Sequence, residues 1–495
     1  MNYTVYGNLV PPKKLRIGNF LSKYYAHAYG FDSEQPPSLT AVPHTGGYED
    51  FGLMAVVEKK SVAKDKQTAL NTEKGVLLGT MRMGFGHCRM AIALASAAKH
   101  AGFIPYWFDM LSFPDTTAGK TIRSLEHWYN LGSRISQHSK LFETLFWEKI
   151  TSVSAQTLSA SLKNAAMADI YAALFRDIPA NMSVLSTHPW VGQGAVRAGL
   201  QNIITVVPDN FPLAFHIVEG TTHAVQSPSS FMGYRTLFAM GDKGFGIQNC
   251  MPPGDIFEAG HFVDHEIVSN IEYDCDLRRK RIKDGKPRRF LLSMGGAGAQ
   301  VMKFADIARK GKGAIEAGKA VLFINMGDHK GRWALLEQEL RSSGIKWTFH
   351  TDWQQTRNFI NEVREGDVTG VHIFLHDDFY AAVYATNLLM RVCDVLITKP
   401  SELSFYPVPK LFIHRVGRHE AWGAIRSSEC GDGTIETSSP SGLYRTLDVL
   451  TTDTDLLDLY CTHIIKNAKT GMYDGAYNII KHIRHGRQNP HNMLQ

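Results

Sequence analysis

A chain of 495 residues, 44% hydrophobic and 20% charged, is long enough for two or three domains with substantial cores. Its net charge of +6, from 53 basic and 47 acidic residues, is too mild for a nucleic-acid binder, though it does not oppose an anionic substrate or membrane surface. Six scattered cysteines (Cys88, Cys250, Cys275, Cys393, Cys430, Cys461) without a CxxC pair argue against a disulfide framework and a structural zinc site, and no apolar run approaches the roughly 20 residues that span a bilayer.

Residues 1–73 are rich in Pro, Gly, Tyr and Lys and read as an N-terminal extension, without the charged-then-apolar pattern of a secretion signal. Over 74–270 strands alternate with helices, the strands expected at 75–81, 104–109, 183–187, 203–207 and 222–226. The stretch 125–175 reads as helical. It carries Trp128, Tyr129, Phe142, Phe146 and Trp147, with Arg123, Arg134, Lys140 and Lys149 close by. A basic amphipathic stretch of this kind suits a lipid surface, and its apolar stripe suits a domain core equally well. Residues 271–289 are strongly charged and read as a helix and linker. Residues 290–495 repeat the alternation, with strands at 290–294, 320–325, 347–350, 372–375, 395–398 and 410–414, and end in helices. The fold class expected is α/β, with two facing Rossmann-like, doubly wound domains that bind ligands at the carboxyl ends of their strands.

Two glycine-rich turns open the two halves. The first is Gly84-Phe85-Gly86-His87, ahead of an alanine-rich run. The second is Gly295-Gly296-Ala297-Gly298. Each follows a buried strand and precedes a helix, whose N-terminal N–H groups favour anions. The second turn lacks the Walker GK[ST] and the full dinucleotide spacing, but its backbone suits a diphosphate. On its own the first turn is a weak signal, since a tight turn with a capping histidine has the same residues. His87 nevertheless sits where a general base is useful. His188 and Trp190 follow one strand end, and Asp209, Asn210 and His216 follow the next. These are candidates for acceptor binding (Gly86, His188, Trp190, Asn210) and catalysis (His87, Asp209, His216), although Asp209 and Asn210 also suit a turn beside Pro208 and Pro212. In the second half Lys399 and Ser401 suit a phosphate, Glu402 two ribose hydroxyls, and Phe374 and His376 a strand-end loop beside the base; Glu420 completes the donor set. Lys399 and Glu402 equally suit a solvated ion pair at a helix start. No acidic cluster with metal spacing lies near the donor loops, so the expected metal set is none.

In order along residues 75–425, these segments resemble the family 28 glycosyltransferases of GT-B fold, above all the monogalactosyldiacylglycerol synthase branch. The resemblance is carried by Gly84 to His87, His127 to Gly132, His188-Pro189, Asp209 with His216, Ala259 to Asp264, Leu292 to Gly298, and Asp394 to Glu402 with Pro409. It implies an inverting, metal-independent transfer from a nucleotide sugar, with UDP the expected carrier, to a lipid or lipid-like acceptor, and no bound cofactor. It also implies a cytoplasmic protein, peripheral on the inner face of a membrane where the acceptor is a lipid. There are departures. Lys399 to Glu402 is several residues shorter than the family's phosphate loop, and Asp209 and His216 are further apart than usual. A soluble acceptor, a sugar-nucleotide epimerase of the same fold, and a non-catalytic sugar-nucleotide-binding protein therefore remain as alternatives.

Overall fold

Short apolar runs set between glycines and polar turns become the centres of two parallel sheets. The computed structural model describes residues 4–31, 34–45, 51–82, 84–138, 154–296, 298 and 300–488. A two-stranded ribbon, β1 (Thr4–Val5) and β2 (Asn8–Leu9), leads into helix α1 (Pro12–Tyr29). The N-terminal sheet then collects β3 (Leu39–Pro43), β4 (Met54–Glu58), β5 (Gly75–Thr80), β6 (Ile104–Asp109), β7 (Ser183–Ser186), β8 (Ile203–Val206), β9 (Thr222–Val225) and β10 (Ile256–Glu258). Their order is β10-β9-β8-β7-β5-β6-β4-β3, and only the β3–β4 pair is antiparallel. The C-terminal sheet is wholly parallel. It comprises β11 (Arg288–Ser293), β12 (Ala320–Asn325), β13 (Thr348–His350), β14 (Gly370–Phe374), β15 (Val395–Thr398) and β16 (Lys410–Phe412), in the order β13-β14-β12-β11-β15-β16.

β5, β7, β11, β12 and β15 are buried along their whole length, as strands covered on both faces must be. The helix α2 (Gly86–His100) buries all of its alanines, Ala91, Ala93, Ala95, Ala97 and Ala98, which lets it lie close to the sheet. Two doubly wound α/β domains facing a cleft are thus the plan.

Two boundaries differ from the sequence reading. Residues 39–58 are not a separate extension, because β4 pairs with β6 and β3 pairs with β4, so they complete the N-terminal sheet. The final helix, Gly475–Gln488, leaves the C-terminal domain. It packs Ala476, Ile479, Ile480 and Ile483 into the core beneath α2. Asn478 donates to Ala259 O at 2.8 Å and Arg484 to Ala101 O at 2.7 Å.

The segment 271–289 is also more than a tether. Its helix Ile271–Lys283 drives Arg278 into the interior, where Nε donates to Cys393 O at 2.9 Å and Nη2 to Met390 O at 2.7 Å. Arg281 donates to Asp394 Oδ1 at 2.9 and 2.7 Å, and Arg289 N donates to the other oxygen at 2.8 Å. Asp394 thus closes a buried pair at the start of β15, at the opposite end of the strand from the cleft. Removing one partner of such a pair leaves an uncompensated charge. Asp394→Ala is expected to destabilise the protein by about 3–5 kcal/mol, read from guanidinium unfolding midpoints.

Candidate functional site

The cleft is built by loops at the carboxyl ends of the strands of both sheets. After β5 the chain turns through Gly84, at φ +82°, and enters α2 at Gly86. After β11 it turns through Gly295 and Gly296. The two turns touch. A Cβ at Gly296 would run into Gly84 Cα and Phe85 N and stand 2.7 Å from Gly84 C, so only glycine fits.

His87 occupies the first turn of α2. Its Nδ1 lies 2.6 Å from Thr187 O. A carbonyl only accepts, so Nδ1 carries the proton and Nε2 is left with its lone pair. Burial, with the nearby His216 adding to it, lowers the His87 pKa to about 4, against weaker opposing pulls from Thr187 O, Asp209 and Glu402. The ring is therefore neutral at pH 7. Asp209 follows β8 and accepts from His216 Nε2 at 3.1 Å. Burial opposes ionisation of Asp209, but the His216 hydrogen bond and the electrostatic pull of the His419, His216 and His87 imidazoles prevail and bring its pKa down to about 2. Asp209 is thus an anion beside a neutral imidazole.

His188 has a different role from His87. Its Nδ1 accepts from Trp190 N at 3.2 Å and caps the helix Pro189–Arg197. Burial, then His87 and His216, hold its pKa well below the usual value. Trp190 is packed in the core, stacked on Tyr171 at 5.4 Å, with its indole N–H on Asn164 Oδ1 at 3.1 Å. It is accordingly a packing residue, not a surface for an acceptor. Asn210 bridges the domains. Its amide donates to Trp422 O at 3.4 Å, and its oxygen accepts from Ser227 and Ser229.

From the C-terminal side, Glu402 reaches across the cleft. A Cβ on Gly86 would lie 3.4 Å from Glu402 Oε2, and Arg89 Nε stands 3.9 Å from Oε1. The carboxylate therefore sits at the start of α2, beside His87. Lys399 pairs with Glu420, whose other oxygen accepts from Val416 N at 2.8 Å and Gly417 N at 3.3 Å. Burial opposes ionisation of Glu420, but Lys399 and His419 keep it charged, its pKa below the usual value. Lys399 also lies close to the glycine turn, since a Cβ on Gly295 would be 3.2 Å from Lys399 Cε. Ser401 N donates to Lys399 O at 2.8 Å, holding this loop tight. Gly298, at φ +63°, faces His329 and Arg332, and His329 Nε2 donates to Gly295 O at 3.0 Å. Ala297 lies outside the described residues.

The expected base-side pair is spent differently. Phe374 is fully buried, its ring stacked on His350 at 4.6 Å. His376 is buried with Nε2 on Thr356 Oγ1 at 2.9 Å, and burial lowers its pKa to about 4. Neither side chain lines an open cleft. Of the aromatics in 125–175, Phe142, Phe146 and Trp147 lie outside the described residues, as do Lys140 and Lys149; Phe175 is core.

The sequence reading missed the residues that bridge the cleft. Arg82 pairs with Asp328 and lies 4.0 Å over the Phe379 ring; Arg89 bonds to Asn387; His419 acts on Asp209 from the opposite domain. Arg82 and Arg89 flank the glycine turn, and that flanking was the available signal. Among the described residues no three His, Cys, Asp or Glu side chains converge as a metal site.

Residues 4–236 match a family model described as Domain of unknown function (DUF6937), and residues 251–484 match one described as Domain of unknown function (DUF6938). No curated protein matches the chain. Solved structures similar to it include a putative UDP-N-acetylglucosamine 2-epimerase from Listeria monocytogenes, at 11% identity and TM-score 0.45, covering 82% of this chain and 94% of that one. A glycosyltransferase from Rickettsia africae is 12% identical with TM-score 0.41, covering 85% and 98%. The α,α-trehalose 6-phosphate synthase from Burkholderia multivorans is 10% identical with TM-score 0.37, covering 67% and 77%.

The neutral histidines set an acid limit. Burial, the largest cause in each, brings His87, His223, His350 and His376 to about 4. Between pH 6.5 and 4 the unfolded chain binds protons that the folded protein refuses, so stability rises with pH across that window and falls on acidification. Asp209 works the other way: its contribution is complete above pH 4 and is lost only as pH falls through 2. The melting temperature should therefore drop between pH 7 and 5, and His223→Asn should flatten part of the drop in parallel melts.

Proposed function

We propose that the cleft binds a nucleoside diphosphate sugar on the C-terminal domain, with UDP as its carrier, and transfers the sugar with inversion to a hydroxyl of a lipid or lipid-like acceptor held by the N-terminal domain. The observation that carries this reading is the fixed His87 tautomer. Its Nε2 lone pair is kept by the Thr187 carbonyl in a neutral ring, at the junction of the two glycine turns.

In this reaction the acceptor O–H gives its proton to His87 Nε2. The acceptor oxygen forms a bond to the anomeric carbon, and the bond from that carbon to the diphosphate oxygen breaks, its electron pair leaving with the diphosphate. Backbone N–H groups of Gly295 and Gly296, with Lys399 and Arg332 beside them, supply the counter-charge. Asp209 holds His216 and keeps the neighbourhood anionic, which favours the imidazolium as it forms. Glu420 holds Lys399 in place.

A second reading, a sugar-nucleotide epimerase, is favoured by one observation: Glu402 stands against Gly86, so two groups able to move protons face each other across the cleft. The readings separate on experiment. His87→Ala should lower kcat for transfer by roughly 10²–10⁴-fold with donor affinity unchanged. Normal turnover would remove His87 from the chemistry. Glu402→Ala should weaken UDP binding by about 1.5–3 kcal/mol by titration calorimetry if the carboxylate holds the ribose. A UDP-hexose incubated without acceptor in deuterium oxide should return unlabelled; ring-carbon deuterium would favour the epimerase.

A further inference from the structure

The geometry points to the outer face of α1 as the surface that docks the protein on an anionic lipid bilayer. The inference rests on the lipid-acceptor reading for its purpose, but on α1 alone for its evidence. α1 contains five cationic or titratably basic side chains near its surface and not one Asp or Glu: Pro-Lys-Lys-Leu-Arg-Ile-Gly-Asn-Phe-Leu-Ser-Lys-Tyr-Tyr-Ala-His-Ala-Tyr. Its inner side is firmly seated. Leu15, Gly18 and Tyr25 are buried, and a Cβ on Gly18 would lie 2.8 Å from Ala166 Cβ and 3.0 Å from Lys163 O. The outward positions share one helical face. Ile17 is 41% exposed, Phe20 68% and Tyr24 57%, and Lys13, Arg16 and Lys23 are exposed on the same side.

The neighbourhood extends the pattern. Leu9, just ahead of α1, is exposed. Tyr25 OH lies 3.4 Å from Ser124 Oγ on the helix α3 (Thr117–His138), and one turn further along α3 Trp128 stands 64% exposed. Lys163 lies close enough to Lys14 for the two charges to repel. Large apolar and aromatic side chains ringed by cations match an interfacial helix lying in the headgroup layer, where the rings enter the acyl boundary and the cations meet anionic headgroups. A wholly apolar partner would leave the cations unmatched, so charge complementarity selects an anionic surface.

The full chain is tested by sedimentation with phosphatidylcholine vesicles, with and without phosphatidylglycerol. Binding should appear only with the anionic lipid and weaken with salt. The triple variant Lys13→Glu, Arg16→Glu and Lys23→Glu should reduce partitioning at least fivefold for each cation removed, since about 1 kcal/mol per basic residue corresponds to that factor. Phe20→Ser with Tyr24→Ser should reduce it without changing its salt dependence. Leu335→Ser, an exposed apolar residue of the C-terminal domain, should leave binding unchanged. Parent-like vesicle binding by both α1 variants, no binding by the parent, or a shift of the variants' oligomeric state in place of vesicle binding would each overturn the inference. UDP titration on the same variants separates the outcomes, because the α1 proposal leaves donor affinity at the parent value, whereas failure of the nucleotide-sugar reading appears as no UDP binding in the parent.

Discussion

The contact between Gly84 and Gly296 governs the rest of the structure. Two strand-to-helix turns from different domains meet backbone to backbone, with no room for a side chain at Gly296. That closeness brings the first turn of α2 to the edge of the opposite sheet. It also forces everything with a side chain to the rim, where Arg82 meets Asp328, Phe85 meets His329 and Phe379, and Asn210 meets Trp422. Gly327, at φ +65°, repeats the constraint on the next loop, since a Cβ there would stand 2.8 Å from the Phe85 ring. Interdomain geometry is thus set by the absence of atoms and sealed by ion pairs around it.

The charges in the cleft are matched before any ligand arrives. Glu402 sits at the start of α2, where the helix end and Arg89 both favour an anion. Lys399 is held by Glu420, and Glu420 by two backbone N–H groups. A diphosphate entering beside Gly295 would find a lysine whose position is already fixed, so little reorganisation is needed when negative charge develops. The same matching holds the loop from Lys399 to Glu402, where the cation is anchored by Glu420 and Ser401 N is bonded to Lys399 O.

Much of this plan is visible in the sequence because it rests on local rules. β6, β12 and β15 fall where their apolar runs begin and end, and both glycine turns lie at strand ends. What escapes is non-local. β3 and β4 lie in a segment of mixed polarity and are strands only because β6 offers an edge. The last helix reads as part of the second domain until its isoleucines are seen beneath α2. The helix Ile271–Lys283 looks solvated by composition, yet Arg278 and Arg281 are buried because carbonyls and Asp394 from another part of the chain wait for them. In the candidate site, the strand-end positions of His87, Asp209, His216, Lys399 and Glu402 place them at the cleft, as the sequence spacing leads one to expect. Phe374 and Trp190 lie in the core instead, because an aromatic at a strand end or helix start looks the same in sequence whether it faces a ligand or the core.

Two adjacent histidines show how hydrogen bonding divides labour that residue type cannot. The rings of His87 and His188 lie 4.8 Å apart, edge to face. Both are buried enough to stay neutral, which removes the repulsion that would otherwise separate them. Their partners then fix opposite tautomers. Thr187 O accepts from Nδ1–H of His87, whereas Trp190 N donates to Nδ1 of His188 and so places that ring's proton on Nε2. His188 has used its lone pair on a helix cap, and His87 has kept its own. Of the two imidazoles at this junction, His87 is therefore the one whose Nε2 keeps its lone pair, and His188 stands edge to face against it as a neutral ring.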